Sequence, residues 1–352
     1  MATQSNLSGL PKSADGKRSS AVKKKTLNVH EKSTKRLIEY LLALKGESID
    51  QLLKDAGLRS RGTKVQAYDR IQSGIATGQV TLEQIQDWLN EVEGWGNHQV
   101  HFYDVSNVVC DRFSTRPKVA ALLAAKNLDH LLDGQPPLWP KIEPEIFGIR
   151  CDKRRLRVCW SQERTWKLRE ESADYPEGDL WFQAYRIQHR RCFHYFELDT
   201  VTGEASLIMG KLPSGEKYSE LAATLLSDLD PIVTTDSLQI VDLRPAIIHL
   251  ESSPDVLRRR LNLITNQQTK IEIISGARDH DAYADPSIKT ARRNWAGNVA
   301  ASRGHFFWKI TTDSIDRLIG SKLLPRENRF SIEGQCTEQE VRDVLRGMRA
   351  IS

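Results

Sequence analysis

Apolar residues recur at helical spacing between residues 33 and 94, and the segments they form have regular start signals. Three segments begin with the pattern Ser/Thr-x-x-Gln, in which the hydroxyl and the later amide satisfy each other's free backbone N–H at a helix N-terminus. These capping boxes lie at residues 48–51, 63–66 and 81–84. With a first helix over residues 33–46, the pattern predicts a compact four-helix head.

Glycines supply the matching stop signals, because glycine readily takes the left-handed conformation that follows many helices. We expect the second, third and fourth helices to end near Gly57, Gly74 and Gly94. The loops between the helices are then short.

Beyond the head the period changes from helical to alternating. Residues 95–134 combine an extended run with a helix and are predicted to connect head and body, and residues 135–144, rich in proline, are predicted to be a linker. From about residue 145 apolar and polar residues alternate, as at Leu156, Val158 and Trp160, and short strands follow one another without helices between them. This pattern predicts an antiparallel sheet.

The last third mixes strands with helices at about 285–300, 313–320 and 337–349, the last opened by a capping box at Thr337. The fold class is therefore α+β: a disordered basic N-terminal arm over residues 1–32, a helical head over 33–94 and an antiparallel-sheet body with flanking helices over 145–352. A division of the body into two subdomains near residue 230 stays open.

Composition narrows the class of protein. The chain has 352 residues, 39% of them hydrophobic and 28% charged, without the run of about 20 apolar residues that spans a membrane. Its first residues lack the apolar core of a secretory signal, and its five scattered cysteines fit reduced thiols better than disulfides. We expect an intracellular protein without a membrane partner, in the cytoplasm or nucleoid of a bacterium or the nucleus of a eukaryote.

The net charge of +5 is concentrated at the N-terminus. Residues 1–36 carry nine Lys/Arg and two acids, so the remaining chain is slightly acidic. The run Lys23, Lys24 and Lys25 is typical of an arm that contacts a polyanion, because neutralising phosphates releases counterions. The alternative is a solvated, disordered tail that aids solubility or, in a eukaryote, serves as a nuclear address.

The segment GLRSRGTK, residues 57–64, carries the strongest functional signal. Gly62 precedes Thr63, where a helix begins, so free backbone N–H groups and the positive end of the helix dipole meet a residue without a side chain. Cations surround this position, and a phosphodiester is the ligand we expect. The predicted nucleic-acid-binding residues are Arg59, Arg61, Gly62, Thr63, Lys64 and Arg70, together with Lys23, Lys24 and Lys25 of the arm.

Residues 48–76 resemble the SAP domain, a helix–extended loop–helix module that binds DNA. The family pattern is present as Leu52-Leu53 in the first helix, Gly57-Leu58, three residues, Gly62-x-Lys64, and Arg70-Ile71 late in the second helix. Tyr68 stands where the family usually has leucine. The resemblance implies duplex DNA as the partner, held mainly through phosphates; RNA stays open, because a related arrangement occurs in RNA-binding proteins.

Catalytic patterns are weak by comparison. The only [D/E]-x-K sequence is Asp15-Gly16-Lys17 in the arm, and the chain has no P-loop, C-x-x-C or H-E-x-x-H. Looser groups favour structural roles: Glu197 with Asp199, the loop with Asp279, His280, Asp281 and Asp285, and the pair His189 and His194. We predict no catalytic residue, metal or cofactor.

Two further basic groups could form a second nucleic-acid surface in the body, beside aromatic residues. They are Lys153, Arg154, Arg155 and Arg157 on one strand, and Lys289, Arg292 and Arg293 near Trp295.

Three hypotheses follow. The first is a non-enzymatic DNA-binding protein whose body docks a protein partner in DNA maintenance, regulation or defence. The second is a divergent metal-dependent nuclease or other DNA-processing enzyme, and the third is a protein-interaction scaffold without a DNA role.

Overall fold

The computed structural model describes residues 29–44, 46–277, 279–295, 298–312 and 315–352. Most of the predicted basic arm, including Lys23, Lys24 and Lys25, lies outside the described residues. The first helix begins at Val29, four residues earlier than the sequence pattern indicated.

Four helices form the head, as predicted. They are α1 (Val29–Leu42), α2 (Gly46–Asp55), α3 (Lys64–Ala76) and α4 (Leu82–Glu93). Their apolar faces meet in one buried core of Leu37, Ile38, Leu41, Leu53, Ile71, Ile85 and Leu89.

Some of the predicted helix starts and ends agree with the structure and others do not. Thr63 and Thr81 form complete capping boxes. The prediction for Ser48 was wrong, because α2 begins at Gly46 and Ser48 lies inside the helix. The prediction that the third helix ends near Gly74 was also wrong, because Gly74 is buried within α3 against Leu58 and Val80.

The other two predicted stops differ from each other. Gly57 follows α2 with φ +68°, as expected of a left-handed residue. Gly94 ends α4 but keeps a right-handed conformation, with φ −65°.

The body is built on one antiparallel sheet, which confirms the α+β class. Its first part comprises β1 (Gly96–Val105), α5 (Asn107–Asp111), α6 (Arg116–Ala125), β2 (Glu145–Cys151), β3 (Arg155–Arg169), β4 (Tyr175–Glu177), β5 (Leu180–Phe182), β6 (Tyr185–Asp199), β7 (Glu204–Met209) and α7 (Tyr218–Leu229). Its second part comprises β8 (Leu238–Ile240), α8 (Arg244–Ser252), β9 (Val256–Thr265), β10 (Lys270–Ile274), α9 (Pro286–Trp295), β11 (Val299–Thr312), β12 (Ile315–Leu324), β13 (Arg329–Gln335) and α10 (Glu338–Arg349).

The strands lie in the order β10-β9-β11-β12-β13-β1-β7-β6-β3-β2, and β8 pairs with one end of β1. The segment predicted as a connector thus supplies β1, a strand in the middle of the sheet. None of the helices among the described residues is long and apolar enough to cross a membrane.

Strand alternation sends successive side chains to two cores on opposite faces of the sheet. In β1, Phe102 packs with α8 and α10, whereas Tyr103 packs with α5, α6 and α7. In β6, Tyr195 and Phe196 divide in the same way.

The helix predicted over residues 313–320 was wrong. Residues 315–324 form β12, paired with β11 on one side and β13 on the other. Ile315, Leu318 and Ile319 have the spacing of a helix. The segment is nevertheless a strand, because it forms backbone hydrogen bonds with β11 on one side and β13 on the other.

Strands β3 and β6 are fifteen residues long and form a hairpin that extends past the rest of the sheet. We call residues 164–190 the arm hairpin; β4 and β5 form its outer end. Apolar side chains lie exposed there, with Leu180 and Trp181 each 65% and Ile187 59% accessible.

Two polar contacts dock the head onto the strands at the base of the arm hairpin. Arg191 in β6 donates Nε–H to Glu93 of α4 at 2.7 Å and Nη2–H to Asn90 at 3.1 Å. Glu163 in β3 accepts hydrogen bonds from Arg36 and Tyr40 of α1.

The proline-rich segment also touches the head. The ring of Trp139 lies 5.9 Å from that of Tyr40, and Leu138 packs against the head core. These contacts fix one face of the head against the body and leave the α2–α3 loop at the surface.

Candidate nucleic-acid interface

The loop between α2 and α3, residues 56–63, has a shape fixed by its own contacts. Leu58 packs against the head core, and its N–H donates to the Leu53 carbonyl at 2.7 Å. The Gln79 amide donates to the carbonyls of Ala56 and Gly57 at 3.3 and 3.4 Å. The loop therefore presents its polar residues on a defined backbone.

Helix α3 begins at this loop with its capping box formed. The Thr63 N–H donates to Gln66 Oε1 at 3.1 Å, and the Gln66 N–H donates to Thr63 Oγ1 at 3.3 Å. The first turn of a helix has donors without intrahelical acceptors, and here those of Lys64 and Val65 remain. Both residues are exposed, Val65 to 71%.

Three cations stand around this helix end. Arg59, Arg61 and Lys64 are exposed, and none forms an ion pair with another described residue. Elsewhere in the described chain most arginines of the sheet are paired with carboxylates, for example Arg157 with Glu197. The loop is thus a locally positive surface next to a positive helix end.

Arg70 and Lys64 form hydrogen bonds within the head. Arg70 is half-buried and donates Nη1–H to the Arg59 carbonyl at 2.7 Å. Lys64 Nζ donates to the carbonyl of Leu42 at 2.7 Å, at the C-terminus of α1. The structure therefore brings all six head residues together, with Arg70 as a positioning residue and Lys64 turned toward the α1–α2 turn.

Gly62 has a different reason for being glycine than the one expected. Its φ is +145°, and a Cβ there would lie 2.3 Å from Gln66 Oε1 and 2.9 Å from Arg70 Nη2. The space beside Gly62 is thus filled by the chain's own side chains, not kept open for a phosphate.

Replacing Gly62 with alanine is expected to lower the free energy of unfolding by about 1 to 2 kcal/mol, because it displaces the capping amide and strains the backbone. Urea denaturation followed by circular dichroism measures this. The matched control is Gly46→Ala, at a helical position where a Cβ meets nothing within 4 Å. Equal stability of the two variants would refute the role assigned to Gly62.

The acidic groups considered for metal binding are engaged in ion pairs. Glu197 accepts from Arg157 Nε at 2.6 Å, and Asp199 accepts from Arg154 Nε at 2.7 Å. Within the described residues no group of three or more His, Cys, Asp or Glu side chains is placed to hold a metal ion.

The loop before α9 is organised in the same way. Asp281 accepts from Arg258 Nε at 2.9 Å; burial acts to raise the pKa of this carboxyl, but the bonds from Arg258 and the Tyr283 N–H hold it below its ordinary value. Asp285 accepts from the Ser287 N–H at 2.7 Å and caps α9, the role favoured from sequence. Asp279 and His280 are exposed.

The two histidines of β6 differ in environment. His194 is fully buried, its Nδ1 accepts from the Gly210 N–H at 3.0 Å, and burial lowers its pKa to about 3, so it is neutral. His189 is half-buried, with Nδ1 3.1 Å from Glu163 Oε1.

The two basic groups predicted in the body are partly neutralised. Arg157 contacts Glu197 and Glu338, and Arg154 pairs with Asp199. Arg292 lies over the Tyr283 ring at 3.7 Å and 3.5 Å from Glu251. Lys289 and Arg293 are exposed and form no ion pair with another described residue, so the second group keeps two available cations.

Sequence reasoning did not single out Arg190, Arg191 and Lys211, which lie at the base of the arm hairpin and face the head. The adjacent arginines in the sequence HRRCF were the available signal, but only the strand pairing shows that they meet α4. In the comparisons with known proteins, no family model matches this chain, and no curated protein shows significant similarity to it.

Proposed function

We propose that this protein binds DNA non-enzymatically through the α2–α3 loop of its head. The observation that carries the proposal is the set of exposed cations around the N-terminus of α3, Arg59, Arg61 and Lys64, which form no ion pair with another described residue. The SAP-like order of residues 48–76 supports the same assignment.

The physical basis is attraction to the phosphate backbone. Exposed N–H groups at a helix start and nearby guanidinium groups contact phosphate oxygens without reading bases. The strongly basic residues 1–36 add sequence-independent affinity that falls as salt rises.

The body is proposed to dock a protein partner. Its best described surface for this is the outer end of the arm hairpin, where Leu180 and Trp181 are each 65% exposed. Exposed apolar groups of this kind often mark interaction sites. A complex that maintains, regulates or defends DNA would combine this contact with DNA held at the head.

The test of DNA binding is fluorescence anisotropy of the full chain with labelled duplex DNA across a salt series. Arg61→Glu is expected to weaken binding about 10-fold and to flatten the salt dependence, because one phosphate contact is replaced by repulsion. The charge-matched control is Lys126→Glu on the exposed end of α6, which should bind like the unmodified protein.

Three results decide between the hypotheses. Equal affinity of Arg61→Glu and the unmodified protein would refute the head interface and favour the scaffold hypothesis. Tighter binding to a matched RNA duplex would assign RNA as the partner. Plasmid cleavage with Mg²⁺ or Mn²⁺ that follows the protein through purification would favour the nuclease hypothesis.

A further inference from the structure

A cleft of about 430 Å³ lies between the head and the base of the arm hairpin. The head contributes the α1–α2 turn and Lys64, and the body contributes Trp166, Arg190 and Lys211. Its volume falls within the range of about 300 to 1,000 Å³ that is common for small-ligand sites.

The cleft is lined by more cations than acids. Lys64, Arg190, Arg191 and Lys211 face one carboxylate, Glu93, which is already bound to Arg191 at 2.7 Å. Lys211 is exposed and has no ion pair with another described residue. An anion is therefore the ligand that the charges favour.

Two buried guanidinium nitrogens of residues in this lining have no hydrogen-bond partner in the part of the chain that the structure describes. The side chain of Arg191 is fully buried, and its Nη1 has no hydrogen-bond partner among the described residues, although Nε and Nη2 are satisfied. Arg190 Nε is also buried without a described partner. Buried polar groups are nearly always hydrogen-bonded, so two such donors on residues that line one cleft leave hydrogen-bonding capacity for an acceptor there.

An indole group adds a surface for a planar ring. Trp166 is half-buried in the cleft wall, and the Arg190 guanidinium lies 5.1 Å from its ring centroid. Aromatic side chains of this kind stack on nucleobases. Cations for a phosphate and an indole for a base thus share one cavity.

We propose that this cleft binds a single phosphate-bearing nucleotide, with the phosphate on Arg190, Arg191 and Lys211 and the base against Trp166. Two sources share this chemistry: a free nucleotide, or the 5′-phosphorylated end of a nucleic-acid strand. The second source rests on the proposed function, since the strand would be held at the head loop, on the other side of Lys64.

Binding of defined probes to the full chain tests the proposal. The probes are dAMP, inorganic phosphate, and a labelled ten-nucleotide single strand with and without a 5′-phosphate; isothermal titration and anisotropy measure affinity. Lys211→Glu is expected to weaken binding of dAMP or of the 5′-phosphorylated strand at least 10-fold. The control, Lys217→Glu, changes an exposed lysine six residues further along that does not line the cleft, and should leave both affinities unchanged.

The probes also separate the two sources. Binding of dAMP supports a free nucleotide, and a preference for the 5′-phosphorylated strand without dAMP binding supports a strand end. Binding of neither, binding no tighter than that of inorganic phosphate, or equal affinities of Lys211→Glu and the unmodified protein would overturn the proposal.

The proposals for the cleft and for the head loop can be refuted independently of each other. Arg61→Glu should weaken duplex binding but leave dAMP binding unchanged, because Arg61 does not line the cleft. If Lys211→Glu no longer binds dAMP while Arg61→Glu keeps full affinity for duplex DNA, the nucleotide site in the cleft is supported and the proposed DNA interface of the head is refuted.

Discussion

Replacement of Arg191 by alanine is expected to lower the free energy of unfolding by about 3 to 5 kcal/mol, the usual cost of removing one partner of a buried ion pair. Arg191 is fully buried and holds Glu93, whose side chain is 6% exposed, at 2.7 Å. Burial already raises the pKa of Glu93 to about 7 despite the neighbouring Arg191. Without the arginine Glu93 would be buried in its protonated form, and α4 would lose the hydrogen bonds from Arg191 to Glu93 and Asn90.

Urea denaturation followed by tryptophan fluorescence measures this loss. Arg186→Ala is the matched control, because Arg186 lies on the same strand and pairs with Glu170 at 2.7 Å but is 70% exposed. Exposed ion pairs contribute little, so the control should change stability only slightly. Similar stabilities of the two variants would show that the Arg191–Glu93 pair does not dock the head.

Replacement of Glu163 by glutamine is expected to destabilise the protein at pH 7 by about 2 to 3 kcal/mol, since the ion pair with Arg36 is lost and the hydrogen bond from Tyr40 becomes a neutral one. Burial acts to raise the pKa of Glu163, but hydrogen bonds from Arg36 and Tyr40 outweigh it and hold the pKa below the ordinary value of 4.5. A carboxyl with a lowered folded pKa stabilises the fold above its ordinary pKa, and this contribution disappears as the pH falls through the lowered value.

The difference in unfolding free energy between Glu163→Gln and the unmodified protein should therefore begin to shrink below pH 4.5, where Glu163 becomes protonated in the unfolded state. It should be smallest below the lowered folded pKa, where Glu163 is protonated in both states. Denaturation curves at a series of pH values test this. A difference that stays constant into the acid range would mean that the charge of Glu163 does not stabilise head docking.

Short-range signals explain which parts of the fold could be predicted. The capping boxes at Thr63, Thr81 and Thr337 use residues three apart, and all three are formed. The capping box at Ser48 failed although it is equally local, since α2 begins at Gly46. Two other wrong predictions came where distant partners decide: Gly74 is inside α3 because it packs on Leu58 and Val80, and residues 315–324 are a strand because β11 and β13 flank them.

In the candidate site, too, contacts between residues close in sequence could be predicted and contacts between distant residues could not. Arg59, Gly62 and Thr63 are neighbours in sequence, so a local pattern was enough to bring them together. The cleft joins Lys64 to Arg190 and Lys211, and the contact of Arg191 with Glu93 spans 98 positions of the chain. No pattern of adjacent residues encodes such a meeting; it depends on strand order and on how the head docks.

The central pairing of β1 with β13 has a consequence for synthesis on the ribosome. β1 ends at Val105, but β13 begins only at Arg329, near the end of the chain. At translation rates of about 5 to 20 residues per second, β1 waits roughly 10 to 50 s for this neighbour. During that interval β7 covers one edge of β1, and β8 covers only residues 103–105 of the other edge. The part of that edge that β13 will cover stays unpaired, a state prone to mispairing with other chains. We expect the yield of native protein to depend on how well the nascent chain is kept from such contacts until its last strand is complete.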